Sequence, residues 1–352
     1  MRLTFRLPLT TGVFALAALG CSDALEQDTT AGSVIAVVNT TSNSVSLVDA
    51  THFTVGPATD LAPPSGTPGT VAARGTVILV PMGDGDAVRV VSSGTLPAGA
   101  PPVIALPTGS GATGVAIDDD SLAWVANPKL NSVTLVNYLT GDTATFSAGT
   151  YPQAVVVTEL SVFFINGNLS GGQPAGPSTV RWLTRPGPIR ASGTFALSCT
   201  NARFAAVGGD GLLYVVCAGT PGAGDGKLSI VDPAARREVA VLNGLGESPG
   251  PAVYHPSGRL LVASRAEGIL EVNTLTRSVT RGPGAGHKPQ GDGVAALAVD
   301  PRGRVYALAP GTCAGPGTVH VLTAPPGYGP ITTVPVGVCP VAAALAAVPL
   351  NH

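Results

Sequence analysis

Residues Gly114 to Val155 read GVAIDDDSLAWVANPKLNSVTLVNYLTGDTATFSAGTYPQAV, and this stretch decides the fold. Val115 to Ile117 is a short apolar run, ended by the turn cluster Asp118-Asp119-Asp120. Leu122 to Ala126 is rich in β-formers and stops at the loop Asn127-Pro128-Lys129. Ser132 to Val136 alternates polar and apolar residues, the period-2 pattern of a strand. Leu139-Thr140-Gly141-Asp142 is a second turn, Thr143 to Ser147 a polar strand, and Gly149-Thr150-Tyr151-Pro152 leads into the next apolar run. Apolar strands come first and polar strands last, as in a four-stranded sheet that runs from a buried axis to a solvated rim.

The same phrase occurs earlier. Asn39 with Asn43 to Asp49 (NSVSLVD) matches Asn127 with Asn131 to Asn137 (NSVTLVN), an offset of 88 residues. Two units of about 44 residues fit the period of four-stranded propeller blades. Weaker copies are SVIAVVN, KLSIVDP and GVAALAVDPRGRVYALA. The phrase resembles the YVTN-type β-propeller repeat, and through it the NHL-type repeat. That resemblance covers roughly residues 33–348 and implies a scaffold; repeats of this kind do not specify a reaction.

Working outward, apolar inner strands recur every 39–50 residues, all but the last followed closely by a second strand. The inner strands begin at Val71, Val115, Ala154, Phe204, Ala252, Val294 and Val341. Ser33 to Val38 is a second strand with no inner strand before it, and Val341 to Val348 is an inner strand with no successor. Joining them closes a ring and removes an open sheet edge. The expectation is an all-β chain: a seven-bladed propeller of four-stranded antiparallel blades, closed by the C-terminal strand. Six or eight blades are the alternatives. The 46 glycines and 32 prolines suit a chain with many tight turns. A net charge of −2 gives no electrostatic footprint for nucleic acid.

Residues 1–21 read as an export signal. Arg2 and Arg6 form a positive n-region, and Leu7 to Leu19 is an apolar run too short for a membrane anchor. Ala18-Leu19-Gly20-Cys21 resembles a bacterial lipobox, with Ala18 where leucine is usual. The resemblance implies acylation of Cys21 and cleavage before it, and more than one acyl chain gives stable anchoring. A signal peptide without lipidation is the alternative. Residues 22–32 read as a disordered tether, and residues 33–352 as the propeller. Ser22 after the cysteine favours the outer membrane, facing the periplasm or the cell surface.

With Cys21 assigned to lipid, Cys199, Cys217, Cys313 and Cys339 remain, an even set in an exported chain. The blade map puts all four on the face where outer-to-inner and second-to-third-strand loops emerge. Blades 5 and 7 are not neighbours, so the local pairs Cys199–Cys217 and Cys313–Cys339 are expected. A metal site built from these thiols is the alternative, without CxxC spacing to support it.

No nucleophile elbow, phosphate-binding loop, HExxH or EF-hand loop occurs. The five histidines show no metal-ligand spacing, and neither a metal nor a cofactor is expected. His287, in the loop GAGHKPQGDG, and Glu267, in the loop Arg265-Ala266-Glu267-Gly268, should emerge on the cysteine-bearing face. They could serve as base and orienter there, or be plain rim residues. Further loop-face binding candidates are Asp84, Asp86, Asn166, Asn168 and Arg265. Asp118, Asp119 and Asp120 fall on the opposite face as a turn or a weak calcium site. His255 and His320 read as structural, and Trp124 and Trp182 as packing. The function expected is a membrane-tethered binding scaffold with a protein or glycan partner; a hydrolase or lyase at the channel mouth is the alternative.

Overall fold

The computed structural model describes residues 32–185 and 191–348. The export signal, Cys21 and the tether up to residue 31 lie outside them. The described chain forms seven four-stranded antiparallel sheets and one small two-stranded hairpin. From the inner strand outward, blade 1 comprises Pro340–Val348, Gly32–Asn39, Ser44–Asp49 and Thr59–Asp60. Blade 2 comprises Ala72–Arg74, Val77–Pro81, Ala87–Ser92 and Val103–Ala105. Blade 3, the opening stretch, comprises Val115–Ile117, Leu122–Asn127, Ser132–Asn137 and Thr143–Ser147. Blade 4 comprises Pro152–Val157, Ser161–Asn166, Thr179–Thr184 and Ser192–Ala196. Blade 5 comprises Ala202–Val207, Leu213–Cys217, Gly226–Asp232 and Arg237–Gly246. Blade 6 comprises Ala252–His255, Arg259–Ser264, Gly268–Asn273 and Ser278–Arg281. Blade 7 comprises Ala296–Val299, Val305–Ala309, Pro316–Leu322 and Pro330–Val338.

The ring closes as expected. Gly32–Asn39 pairs with Pro340–Val348 from Gly32↔Val348 to Asn39↔Pro340, so the last strand of the described chain is the innermost of the first blade. The long interval in blade 4 is the hairpin Leu169–Ser170 and Gln173–Pro174. Blade 7's inner strand begins two residues later than the sequence suggests. The amide of Val294 instead donates to Ser264 O in blade 6 at 2.9 Å, and that of Ala295 to Leu308 O at 2.8 Å.

Each sheet is covered on both faces, which explains why second strands do not alternate. Val77–Pro81, Ser161–Asn166, Leu213–Cys217 and Val305–Ala309 are buried at every position. Apolar clusters fill the spaces between neighbouring blades. One joins blades 7 and 1 through Ile35, Val37, Tyr306 and Val319, and another joins blades 3 and 4 through Trp124, Val133 and Phe164. Outer strands have water on one side; every residue of Thr143–Ser147 is exposed. At about 25 cal/mol per Å2 of apolar surface, the stability of such a ring resides in its inter-blade interfaces.

The repeated asparagines build blades. Asn39, Asn127 and Asn166 end the second strands of blades 1, 3 and 4, and all are fully buried. Their Nδ2 groups donate to third-strand hydroxyls: Ser46 at 3.0 Å, Thr134 at 2.8 Å and Thr179 at 3.2 Å. In blade 5 Cys217 ends the second strand, and its disulfide to Cys199 holds the entering inner strand. Asn43 and Asn131 follow with φ of 46° and 52°, in the left-handed region that asparagine tolerates best after glycine.

Candidate functional site

Second-to-third-strand loops and outer-to-inner links both emerge on one face, and there they surround a cavity of about 650 Å3 at the end of the channel. That volume lies within the range of small-molecule pockets. Every blade contributes to the wall. The cysteine-bearing connections belong to the same face. Cys199–Cys217 and Cys313–Cys339 are both formed, with Cα separations of 6.1 and 4.6 Å.

The wall is shaped by a repeated irregularity. The register of the inner strand slips between Pro152 and Ala154, between Ala202 and Phe204, and between Pro340 and Ala342. Each slip leaves one residue out of the ladder: Gln153, Arg203 and Val341. A β-bulge redirects its extra side chain, and all three bulged residues line the cavity. Residues before the slips also carry strain, with φ of 57° at Tyr151, 55° at Asn201 and 62° at Cys339. Tyr151, itself in the wall, is held there because its amide donates to Asn131 Oδ1 at 2.9 Å. The repeat asparagine thus positions a pocket residue of the next blade. Gln153 Nε2 reaches across to blade 5, donating to Asn201 Oδ1 at 3.2 Å and Ala202 O at 3.1 Å.

Three wall side chains are basic, Lys129, Arg203 and Arg265, and one is acidic, Asp84. Lys129 Nζ lies 2.7 Å from Asp84 Oδ1, so blades 2 and 3 neutralise one another at the rim. The Asp84 hydrogen bond raises the lysine's pKa. No ion pair among the described residues includes Arg203 or Arg265. Arg203 is solvent-accessible yet set among the channel walls, and desolvation lowers the pKa of its guanidinium. Tyr151 opposes that shift, and the nearby charge of Arg265 adds to it.

Of the residues singled out from sequence, Asp84 and Arg265 are in the wall. Asp86 turns its carboxylate to the 109–111 turn, accepting from the amides of Gly109 at 2.8 Å and Ser110 at 2.9 Å. Asn166 is consumed inside its blade, and Asn168 Nδ2 donates to Pro177 O at 3.0 Å. Glu267 Oε2 accepts from the amide of Gly284 at 2.9 Å. His287 pairs through its backbone with Ile269 and stacks its ring on Tyr328, centroids 4.8 Å apart. Neither His287 nor Glu267 lines the cavity. Arg203, Lys129, Tyr151 and Gln153 do, although no motif marks them. The usable signal is positional: they lie in the loops and at the strand starts where the blades diverge.

The stacked position of His287 has a pH consequence. Desolvation and the charge of Arg281 depress its pKa below 6.5, with Glu271 opposing. The folded chain therefore keeps this ring neutral while the unfolded chain takes up the proton. Stability falls as pH drops through 6.5 towards the folded pKa. We expect His287→Phe to keep the stack and to lessen that fall, measured by urea midpoints at pH 7 and pH 5. An unchanged pH profile would refute this.

On the opposite face the three aspartates are engaged. Asp118 accepts from Trp124 Nε1 at 2.8 Å and pairs with Arg185. Asp119 caps its own turn through Ser121 and Leu122, and Asp120 pairs with Arg74 at 2.8 Å. His255 links blades 6 and 7, with Nε2 2.9 Å from Gly303 O and Nδ1 2.7 Å from Ser257 Oγ. His320 is buried and lies 2.9 Å from Asp292 Oδ2. Trp124 packs against Phe146 and Phe164, and Trp182 lies under the Arg236 guanidinium. Among the described residues no group of three or more His, Cys, Asp or Glu is placed to hold a metal ion.

Fold and site together define a seven-bladed β-propeller with a polar, arginine-bearing pocket at one end of its channel. No family model and no curated protein matches the sequence. Solved structures do resemble it. Apo AztD from Citrobacter koseri aligns at 14% identity and a TM-score of 0.60, covering 90% of this chain and 98% of that one. A functionally unknown protein from Desulfotomaculum acetoxidans gives 14% identity, a TM-score of 0.65, and coverage of 89% and 98%. Virginiamycin B lyase from Staphylococcus aureus, a catalytically inactive form with quinupristin, gives 11% identity, 0.56, and coverage of 87% and 89%. At such identities these likenesses concern the fold alone.

Proposed function

We propose that this chain is an exported lipoprotein of the YVTN and NHL repeat kind. In this reading acyl chains on Cys21 hold it at the outer membrane, and the propeller binds a ligand in the mouth of its channel. The observation that carries the reading is the cavity of about 650 Å3 into which three bulged residues and strained Tyr151 are aimed. Conformational strain and re-aimed side chains concentrate at ligand sites. A binding role is favoured over a reaction because Glu267 is occupied with Gly284 and His287 with Tyr328, away from the cavity. The partner is a free small molecule, or a protein or glycan of the envelope presenting a small group to the mouth.

Gly69 supplies a test. It lines the cavity, and a Cβ built there meets nothing within 4 Å, so Gly69→Trp adds an indole without a backbone clash. The full lipidated chain is expected to retain a ligand from native membranes, seen by mass spectrometry after crosslinking, and Gly69→Trp to lose it. Equal recovery with both proteins would place binding elsewhere. Labelled palmitate should enter the wild-type chain and not Cys21→Ser; label in both would overturn the anchor.

A further inference from the structure

We propose that the channel mouth recognises an oxyanion, the carboxylate or phosphate group of a small molecule, through Arg203 and Arg265. The proposal deepens the binding reading above and rests on it.

The two arginines come from consecutive blades by different routes. Arg203 is the residue left out of the ladder where blade 5's inner strand slips between Ala202 and Phe204. Its direction is therefore set by the backbone and not by a flexible loop. Arg265 follows the second strand of blade 6, Arg259–Ser264. Its carbonyl is pinned against Gly293, where a Cβ would come within 1.8 Å of it, so this backbone also has little freedom. Both side chains line one cavity, and the charge of Arg265 is felt at Arg203. Like charges near one another in a walled space repel, and without a counter-charge the pair raises the energy of the empty site.

Four half-buried arginines elsewhere are answered by a carboxylate, whereas half-buried Arg89 donates to the carbonyls of Asp60 and Pro63 and Arg181 has no ion pair among the described residues. Arg259 and Arg281 share Glu271, Arg304 has Asp300, Arg185 has Asp118, and even exposed Arg74 has Asp120. Within the same wall Lys129 is answered by Asp84. Arg203 and Arg265 are the basic wall residues left unanswered among the described residues. A guanidinium presents a planar fork of donors that matches a carboxylate or phosphate edge. The bound anion would supply the missing counter-charge, and the hydroxyl of Tyr151 in the same wall offers a further donor. The excess is local, since the chain as a whole carries −2.

The test uses the full mature chain and isothermal titration with three probes: inorganic phosphate, succinate and glucose. Phosphate or succinate should bind, with affinity that falls as sodium chloride rises. Arg203→Gln and Arg265→Gln should each weaken that probe at least about tenfold. Arg203→Lys, which keeps the charge and loses the fork, should fall between. Arg302→Gln, on the opposite face in the first turn of blade 7, should change nothing. Whichever anion binds more tightly identifies the oxyanion as tetrahedral or planar. Binding unaffected by either glutamine variant would overturn the inference. So would the absence of heat with both anions up to about 10 mM, the edge of measurable affinity. The parent reading fails differently. If glucose binds and Gly69→Trp blocks it, the mouth is a ligand site without anion preference. If no probe binds and Gly69→Trp changes no recovery from membranes, the mouth is not the site at all.

Discussion

Glu271→Ala is expected to destabilise the propeller by about 3 kcal/mol, the low end of what removing one partner of a buried ion pair costs. Glu271 lies in the third strand of blade 6 and is 3% exposed. Its Oε2 accepts from Arg259 Nε and its Oε1 from Arg281 Nε, both at 3.1 Å. The geometry follows from the ladder. Arg281 is directly opposite Glu271 across the outer pair, and Arg259 is its diagonal neighbour across the inner pair. Blade 7 lies over the cluster through Tyr328, 1% exposed, whose hydroxyl finds no hydrogen-bond partner among the described residues. Arg281 is 5.7 Å from that ring's centroid. Removing the carboxylate leaves two guanidiniums, 27% and 30% exposed, without their counter-charge at an inter-blade interface. Their partial access to water is why the low end of the range applies. The charge-free variant Glu271→Leu with Arg259→Leu and Arg281→Leu should lose far less, because well-packed apolar groups can replace a buried ion network at little cost. Urea midpoints at constant m-value measure both. A loss below about 1 kcal/mol for Glu271→Ala would show that the arginines simply turn to water.

Nothing in the sequence announces Glu271, and the reason is instructive. The stretch at residues 114–155 made the blade legible because period, turn chemistry and repeat spacing are local properties. The matched ends at Ser33 and Val348 made ring closure legible because a sheet edge must be paired. Glu271, by contrast, sits where a hydrophobic residue would read naturally, and its partners are assigned by cross-strand register. The channel mouth was half legible for the same reason. Loop position alone reached Asp84 and Arg265. It could not reach Gln153 or Arg203, which lie one residue before the inner strands read from Ala154 and Phe204 and are aimed into the channel by a bulge that only cross-strand register reveals. It also drew in Asp86, Asn166 and Asn168, whose chemistry suits a site but is spent on turns and blades. His287 and Glu267 share a face and a pair of adjacent loops, yet hydrogen bonding and stacking turn them to different neighbours.

Cys313→Ser with Cys339→Ser is expected to lower stability by roughly 3 kcal/mol, the chain-entropy value for a loop of this length. The disulfide closes a separation of 26 residues. Cys199–Cys217 closes 18 and predicts a similar global loss, so a thermal midpoint cannot tell the two apart. Their positions can. Cys339 immediately precedes the closing strand Pro340–Val348, and its carbonyl accepts from the Thr40 amide of blade 1 at 3.0 Å. Thr41 in turn donates to Val338 O at 3.2 Å, and the Val338 amide donates to Ser42 Oγ at 3.0 Å. This junction ties the last strand of blade 7 to the strand that completes blade 1, and Cys313 fastens it to blade 7's own loop. Without the bond the closing strand can leave Gly32–Asn39 while the other blades remain packed, a local opening whose cost no longer includes the loop constraint. Hydrogen exchange should therefore quicken in Val341–Val348 and in Gly32–Asn39 when Cys313 and Cys339 are replaced. In the Cys199 and Cys217 double serine variant it should quicken in Ala202–Val207 and Leu213–Cys217 instead, with the closing pair still protected. Uniform loss of protection in both variants would mean that the ring opens only as a whole, and that neither disulfide has a local role.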